Sequence, residues 1–180
     1  IFAAALLAAC TGRETDVPEV EFRTDGALHV QKEYLALDVP DDLYLGTPDQ
    51  IAGDDRYIYI LYTLSENAGV YIFDKQSGGY VAKAGRKGRG GGEYILPLSM
   101  TLHGSTLYVV DGGDGSVLRF RKGDFVFEGK TPSRDIGCFE FADDSTLLTD
   151  NPSYGRDSAF RKKSFLLTDT SFVPQSGVVD

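Results

Sequence analysis

Alternation of apolar and polar residues over short stretches is the feature that most limits what this chain can fold into. Successive side chains of a β-strand point to opposite faces of a sheet, so a period of two indicates strands. Clusters of Asp, Ser and Gly, which favour tight turns, separate these stretches. No stretch of ten residues or more carries the 3.6-residue period of a helix, so the sequence predicts an all-β fold. The clearest predicted strands are residues 34–39, 57–62, 69–73, 107–110, 117–121, 125–130 and 164–168.

Two short patterns recur along the chain and indicate a repeated structural unit. The first pattern lies at residues 55–60, 104–109 and 144–149. The second pattern lies at residues 70–74, 117–121 and 165–169. A unit of four short antiparallel strands every ~40–50 residues is typical of a propeller blade. The sequence therefore predicts a β-propeller of four-stranded antiparallel blades, whereas a β-sandwich, the alternative architecture, would show no such repeat.

The glycine-rich segment between the first two units carries a resemblance to a known family. Residues 85–94 read Gly-Arg-Lys-Gly-Arg-Gly-Gly-Gly-Glu-Tyr. They resemble the segment Gly-x-x-Gly-x-Gly-Pro-Gly-Glu-Tyr that joins blades in the six-bladed β-propeller lipoproteins of Bacteroidetes, relatives of NHL-repeat propellers. Gly91 stands where that family has proline. Residues 35–38, 44–46 and 107–111 also resemble family stretches.

The resemblance implies six blades, and the chain is long enough for about three of them. We expect a partial propeller over residues 31–180, with blades at about 48–96, 97–137 and 138–180. The expectation is thus a fragment truncated at both ends.

The first ten residues are predicted to be the end of a signal peptide. They form an uncharged apolar run that is shorter than the ~20 residues needed to span a bilayer. The run ends in Leu-Ala-Ala-Cys, which resembles the bacterial lipobox, so Cys10 is the predicted lipid-attachment residue. Residues 11–30 would form a polar tether. The predicted location is the cell envelope, with the membrane as partner through the lipid anchor and the side of the membrane left open.

The charge balance limits the other partners. Eighteen basic and twenty-seven acidic side chains give a net charge of -9. Nucleic acids attract proteins that present a basic face, so no nucleic-acid partner is expected. A carbohydrate or a protein is the expected partner.

No motif for catalysis stands out in the sequence. The patterns Gly-x-Ser-x-Gly, His-Glu-x-x-His and Walker A are absent. His29 and His103 are the two imidazoles of the chain, and both are expected at the surface, His103 in a hairpin turn. The paired carboxylates at 41–42, 54–55 and 143–144 stand in predicted turns, where neighbouring side chains point apart. We predict no catalytic residue and no cofactor.

Two glycine-rich stretches resemble ligand-binding loops, but their context favours turns. Residues 88–92 precede a proline rather than the helix that a phosphate loop needs. Residues 111–115 lack the ligand spacing of a calcium loop, so no metal site is predicted and their Asp side chains are expected to cap backbone N–H groups. Cys138 is expected to be a small buried hydrophobe in a strand. The basic run 161–163 is expected in a solvated turn.

Two functions from different classes remain open on the sequence. In the first, the protein is a lipid-anchored propeller that acts as a binding or scaffolding module, with a glycan or a nutrient among the ligands suggested by the resemblance. In the second, it is a metal-dependent enzyme of the lactonase or lyase type, whose metal ligands come from several blades around the central channel.

Overall fold

The structure is built from β-strands. In this computed structural model the described residues are 34–41, 43, 46–64, 66–133, 136–150 and 165–172, and no helix occurs among them. The strands are β1 (Gln50–Gly53), β2 (Tyr57–Tyr62), β3 (Gly69–Asp74), β4 (Tyr80–Ala84), β5 (Arg86–Lys87), β6 (Glu93–Tyr94), β7 (Pro97–His103), β8 (Thr106–Asp111), β9 (Ser116–Arg121), β10 (Phe127–Pro132), β11 (Phe139–Phe141), β12 (Thr146–Asp150) and β13 (Phe165–Asp169). The predicted signal segment 1–10, the tether 11–30, the basic run 161–163, Cys10 and His29 lie outside the described residues.

The strands form three antiparallel sheets in which each strand pairs with its neighbour in sequence. The first sheet has the order β1-β2-β3-β4, the second the order β7-β8-β9-β10 and the third the order β11-β12-β13. A short parallel pair, β5 and β6, lies in the chain between the first and second sheets. Successive antiparallel meanders of this kind, two with four described strands and one with three, are propeller blades, and the predicted all-β propeller class is confirmed.

The three sheets pack face to face, and apolar side chains fill the two interfaces. The first core cluster joins the first and second sheets, and its fully buried members include Leu61, Ile72 and Leu118. The second cluster joins the second and third sheets. Neighbouring residues of β8 serve different interfaces, since Val109 belongs to the first cluster and Val110 to the second. This alternation is the period of two that the sequence shows.

Side chains connect the first strands of successive sheets. The amide of Gln50 in β1 donates from Nε2 to the carbonyl oxygen of Met100 in β7 at 2.9 Å and accepts the Met100 N–H at 2.8 Å. Thr101 Oγ1 donates to the carbonyl oxygen of Phe139 in β11 at 2.7 Å. A single side chain thus satisfies both backbone groups of Met100. Side-chain hydrogen bonds therefore link β1 to β7 and β7 to β11, the first strands of the three sheets.

The turn after the third strand of each sheet holds a residue in the left-handed backbone region. These residues are Gly78, Phe125 and Phe172, with φ of 75°, 56° and 58°. A positive φ is costly for a residue that carries a Cβ. The Phe125 ring offsets this cost by packing 5.4 Å from the Tyr57 ring, centroid to centroid, in the first interface. Phe172 packs 5.3 Å from Phe139 in the second interface, so the turns that hold Phe125 and Phe172 each close a seam between two sheets.

The predicted strand at residues 34–39 is wrong. Residues 34–37 form no strand, and Asp38 makes only an isolated parallel bridge to Gly79. The apolar side chains of Leu37 and Val39 pack against the core cluster on the outer face of the first sheet. The alternation of apolar and polar residues at 34–39 therefore comes from packing of this segment on the first sheet, and the segment is not itself a strand of that sheet. The sequence also missed β1, β4 and β7, in which exposed positions and small residues weaken the pattern.

Cys138 is exposed, which corrects the prediction of a buried thiol. It stands immediately before β11, whose residue Phe139 is buried against the second sheet. Because successive side chains of a strand alternate, Cys138 and Glu140 point away from that interface. Partial desolvation and the nearby Asp150 carboxylate raise the pKa of the thiol.

Phe125→Ala is expected to lower the free energy of unfolding by about 3–5 kcal/mol, since it removes a ring from the first interface. Chemical denaturation of the whole protein measures this loss. Val126→Ala is the matched control: Val126 is the next residue and is half exposed, so the substitution should change stability by about 0.5 kcal/mol or less. Equal effects of the two substitutions would contradict the closing role of the Phe125 ring.

Candidate functional site

A cleft between the second and third sheets is the candidate site. It has a volume of about 150 Å³. Strands β8, β9 and β10 supply one wall, and β11, β12 and the turn after β13 supply the other. The described lining residues are Tyr108, Val117, Arg119, Thr131, Phe139, Phe141, Leu147, Thr170 and Phe172.

Arg119 is the one charged residue among those lining residues. Its guanidinium is half-buried, and Nη1 donates to Thr131 Oγ1 at 2.6 Å. No carboxylate of the described residues forms an ion pair with it. Arg121, two residues along the same strand, pairs with Asp124 at 2.6 Å. Within the described part of the chain, Arg119 therefore brings a positive charge without a carboxylate partner into the cleft.

The internal repeat shows that Arg119 replaces a core residue. Residues 117–121 of β9 match 70–74 of β3, which places Arg119 opposite Ile72 in the alignment. Ile72 is completely buried in the first interface and pairs across the sheet with Ala82. Arg119 pairs in the same way with Gly129. A Cβ on Gly129 would come within 2.5 Å of Arg119 Nη2, so the glycine makes room for the guanidinium.

Aromatic rings form the apolar walls of the cleft. Tyr108 lies 5.8 Å from Phe139 and 5.1 Å from Phe141, measured between ring centroids. His103 stacks on Phe141 at 3.8 Å with an angle of 10° between the ring planes, and its Nε2 lies 2.9 Å from Asp144 Oδ1. His103 therefore stands at the end of β7 and packs against the third sheet, rather than in a free hairpin turn. Sequence reasoning overlooked this stack because its partners are 38 and 41 residues away.

Of the two Asp residues at 111–115, Asp111 serves the backbone as predicted, whereas Asp114 accepts a hydrogen bond from the Ser116 hydroxyl and pairs with Lys130. The buried carboxylate of Asp111 accepts hydrogen bonds from the backbone N–H groups of Ile95 and Leu96 at 2.9 and 2.7 Å. Asp150, at the end of β12, accepts hydrogen bonds in the same way from the segment before β11. Within the described ranges, no group of three or more His, Cys, Asp or Glu side chains is arranged to hold a metal ion.

The glycine-rich segment 85–94 connects the first two sheets. Glu93 accepts hydrogen bonds from Arg86 Nε at 2.7 Å and from the Gly90 N–H at 2.8 Å, and these donors lower its pKa. The buried hydroxyl of Tyr94 donates to the backbone carbonyl oxygens of Ala68 and Ala84, at 3.3 and 3.2 Å. Burial raises the pKa of this hydroxyl. These contacts hold the segment against the first sheet, and Arg86, one of its three basic side chains, is paired with Glu93.

Comparison with known proteins settles the family. Residues 15–180 match the family described as "6-bladed beta-propeller". The chain belongs to this family. The propeller is also similar to the crystal structure of a "putative exported protein" from Bacteroides fragilis, with 28% sequence identity and a TM-score of 0.70 over 79% of this chain. The chain spans 40% of that relative's length. No curated protein matches it.

Arg119, the charged residue that lines this cleft, was not predicted as a site residue from the sequence. Cys10, the predicted lipid-attachment residue, lies outside the described residues. Arg119 was overlooked, although the aligned repeats carry the signal. Arg119 aligns with Ile72 of the preceding unit. The difference between them becomes meaningful only when both positions are known to face an interface between sheets. No helix of the described part of this propeller is long and apolar enough to cross a membrane.

Asp54 gives the first interface a dependence on pH. Burial opposes its ionisation, but the N–H groups of Tyr57 and Arg56, the Lys122 ammonium at 3.1 Å and the Tyr59 hydroxyl together lower its pKa to about 2. Because the folded pKa is below the unfolded one, ionised Asp54 stabilises the fold above about pH 4, and this contribution is lost as the pH falls towards 2.

Asp54→Asn should therefore be most destabilising near neutral pH. We expect the difference in unfolding free energy between wild type and this variant to narrow by about 2 kcal/mol between about pH 6 and about pH 2. Denaturation at a series of pH values measures it. Asp55→Asn, which removes the neighbouring exposed carboxylate, controls for the change in charge. A difference for Asp54→Asn that stays constant over this range would contradict the assignment.

Proposed function

We propose that this propeller is a lipid-anchored binding module of the cell envelope. The observation that carries the binding role is the cleft between the second and third sheets, where Arg119 stands in an aromatic-lined cavity. Small-molecule sites are typically concave and apolar, with a few polar groups that orient the ligand. The cleft has this composition.

The energetics of Arg119 support a binding role. A half-buried charge without an ion-pair partner costs stability, because the interior replaces hydration poorly, and no described carboxylate pairs with Arg119. The first interface shows that the fold accepts Ile72 at the same repeat position, fully buried. The fold itself has no need of the guanidinium. A ligand that supplies its missing partner accounts for its presence.

The proposed anchor is Cys10, at the end of the apolar segment 1–10. The Leu-Ala-Ala-Cys sequence there resembles a lipobox. The description of the Bacteroides fragilis relative as exported supports a place outside the cytoplasm for this chain as well. A lipid on Cys10 would hold the propeller at a membrane surface through the polar tether 11–30. Its partners there would be small molecules, glycans or proteins rather than nucleic acid, since the net charge is -9.

A thermal-denaturation panel tests the binding role. The intact protein is melted in the presence of neutral sugars, amino acids, inorganic phosphate and organic acids, each at millimolar concentration. We expect at least one class to raise the melting temperature, since a ligand that binds only the folded state stabilises it. If no class raises it, the small-molecule binding role is wrong.

Cys10→Ala is expected to abolish lipid attachment. In cells fed an alkyne-bearing fatty acid, the wild-type protein should take up the label and sediment with membranes, and the variant should do neither. Cys138→Ala is the matched control, because it removes the exposed thiol of the propeller and should keep both label and membrane association. Equal labelling of the Cys10→Ala variant and the wild type would rule out Cys10 as the anchor.

A further inference from the structure

We infer that the cleft between the second and third sheets binds a small organic carboxylate with a flat apolar body, and that Arg119 pairs with the carboxylate group. This inference rests on the proposed binding role and adds the chemical class of the ligand. Three properties of the cleft lead to it: the unused donors of Arg119, the volume, and the charges around it.

The guanidinium of Arg119 has donors to spare. An Arg side chain carries five N–H donors, and the described structure uses one of them, in the bond to Thr131. A planar guanidinium binds a carboxylate through two parallel hydrogen bonds, which are shorter and stronger than neutral ones. The Thr131 hydroxyl fixes one edge of the guanidinium and leaves another for a ligand. The guanidinium itself fills the place that a side chain on Gly129 would take, so the glycine lets it lie along the wall of the cleft.

The volume of the cleft and the side chains of its walls determine the size and shape of the apolar part of the ligand. A cavity of about 150 Å³ in a protein core accommodates a benzene ring, and this cleft has the same volume. Its walls carry the rings of Phe139, Phe141 and Phe172. Flat apolar groups pack well against such rings, edge to face or offset. A single six-membered ring or a short branched chain is the body that fits.

The surrounding charges favour a single negative charge on the ligand. Arg119 is the one cation among the described residues that line the cleft. Two other cations of the second sheet are already paired, Lys130 with Asp114 and Arg121 with Asp124. A doubly charged group such as phosphate would meet one compensating charge in a protein of net charge -9. A monocarboxylate matches the site.

Benzoate and benzamide test this inference as a matched pair of probes. They share the ring and differ in the charge of the polar group. Isothermal titration calorimetry with the intact wild-type protein should show benzoate binding at least about tenfold more tightly than benzamide, because one charge-assisted pair separates them. Arg119→Gln should weaken benzoate binding by at least about tenfold and benzamide binding by much less, because Gln still offers a neutral N–H donor but no charge. Arg89→Gln, which removes an exposed charge outside the cleft, should affect neither probe.

The outcomes separate this inference from the proposed function. Benzoate selectivity that disappears in Arg119→Gln supports the inference. Equal binding of benzoate and benzamide, unaffected by Arg119→Gln, overturns it and leaves a binding site for neutral molecules. Binding of neutral sugars in the thermal panel without any binding of benzoate overturns it in the same way. If neither probe binds and no class in the panel raises the melting temperature, both proposals fail.

Discussion

Each sheet of this propeller is a single layer with apolar side chains on both faces, and the rest of the structure depends on burying those faces against neighbours. Burial of apolar area stabilises by roughly 25 cal/mol per Å², so an isolated sheet would leave most of that contribution unused. The residues Leu61 and Leu118 meet in the first interface, and Val117 and Leu147 contribute to the second. Once the faces are in contact, polar side-chain bonds determine the strand alignment. The Gln50 amide, for example, holds β1 beside β7 through both backbone groups of Met100.

Within that constraint, the second interface differs from the first most clearly where Arg119 stands in place of Ile72. Ile72 fills its place in the first interface completely, whereas Arg119 leaves a cleft and carries a charge into it. The change is local, since Phe125 and Phe172 close both interfaces in the same manner. A repeat architecture allows this, because one interface can be modified while its neighbours keep the fold. Binding sites on repeated scaffolds therefore show themselves as deviations from the repeat.

The sequence predicted the strands with strong alternation and missed the features that depend on neighbouring sheets. Residues 57–62 were predicted as a strand with the bounds that β2 has. Cys138 was assigned to the wrong face, since a shift of one residue reverses every side chain of a strand. The left-handed backbone of Phe125 carries no local signal and is maintained by the Tyr57 ring across the interface. Arg119 could have been found by comparing aligned repeats, but its lack of an ion-pair partner required the structure.

The central claim is that Arg119 serves a ligand and contributes nothing essential to the fold. Arg119→Ile tests it most directly, since it places in the second interface the residue that the first interface carries at the same position. Chemical denaturation without ligand compares the variant with the wild type. The account predicts a variant at least as stable as the wild type, because an unpaired half-buried charge is replaced by an apolar side chain. A loss of about 2 kcal/mol or more would show that the guanidinium is part of the packing and would contradict the account.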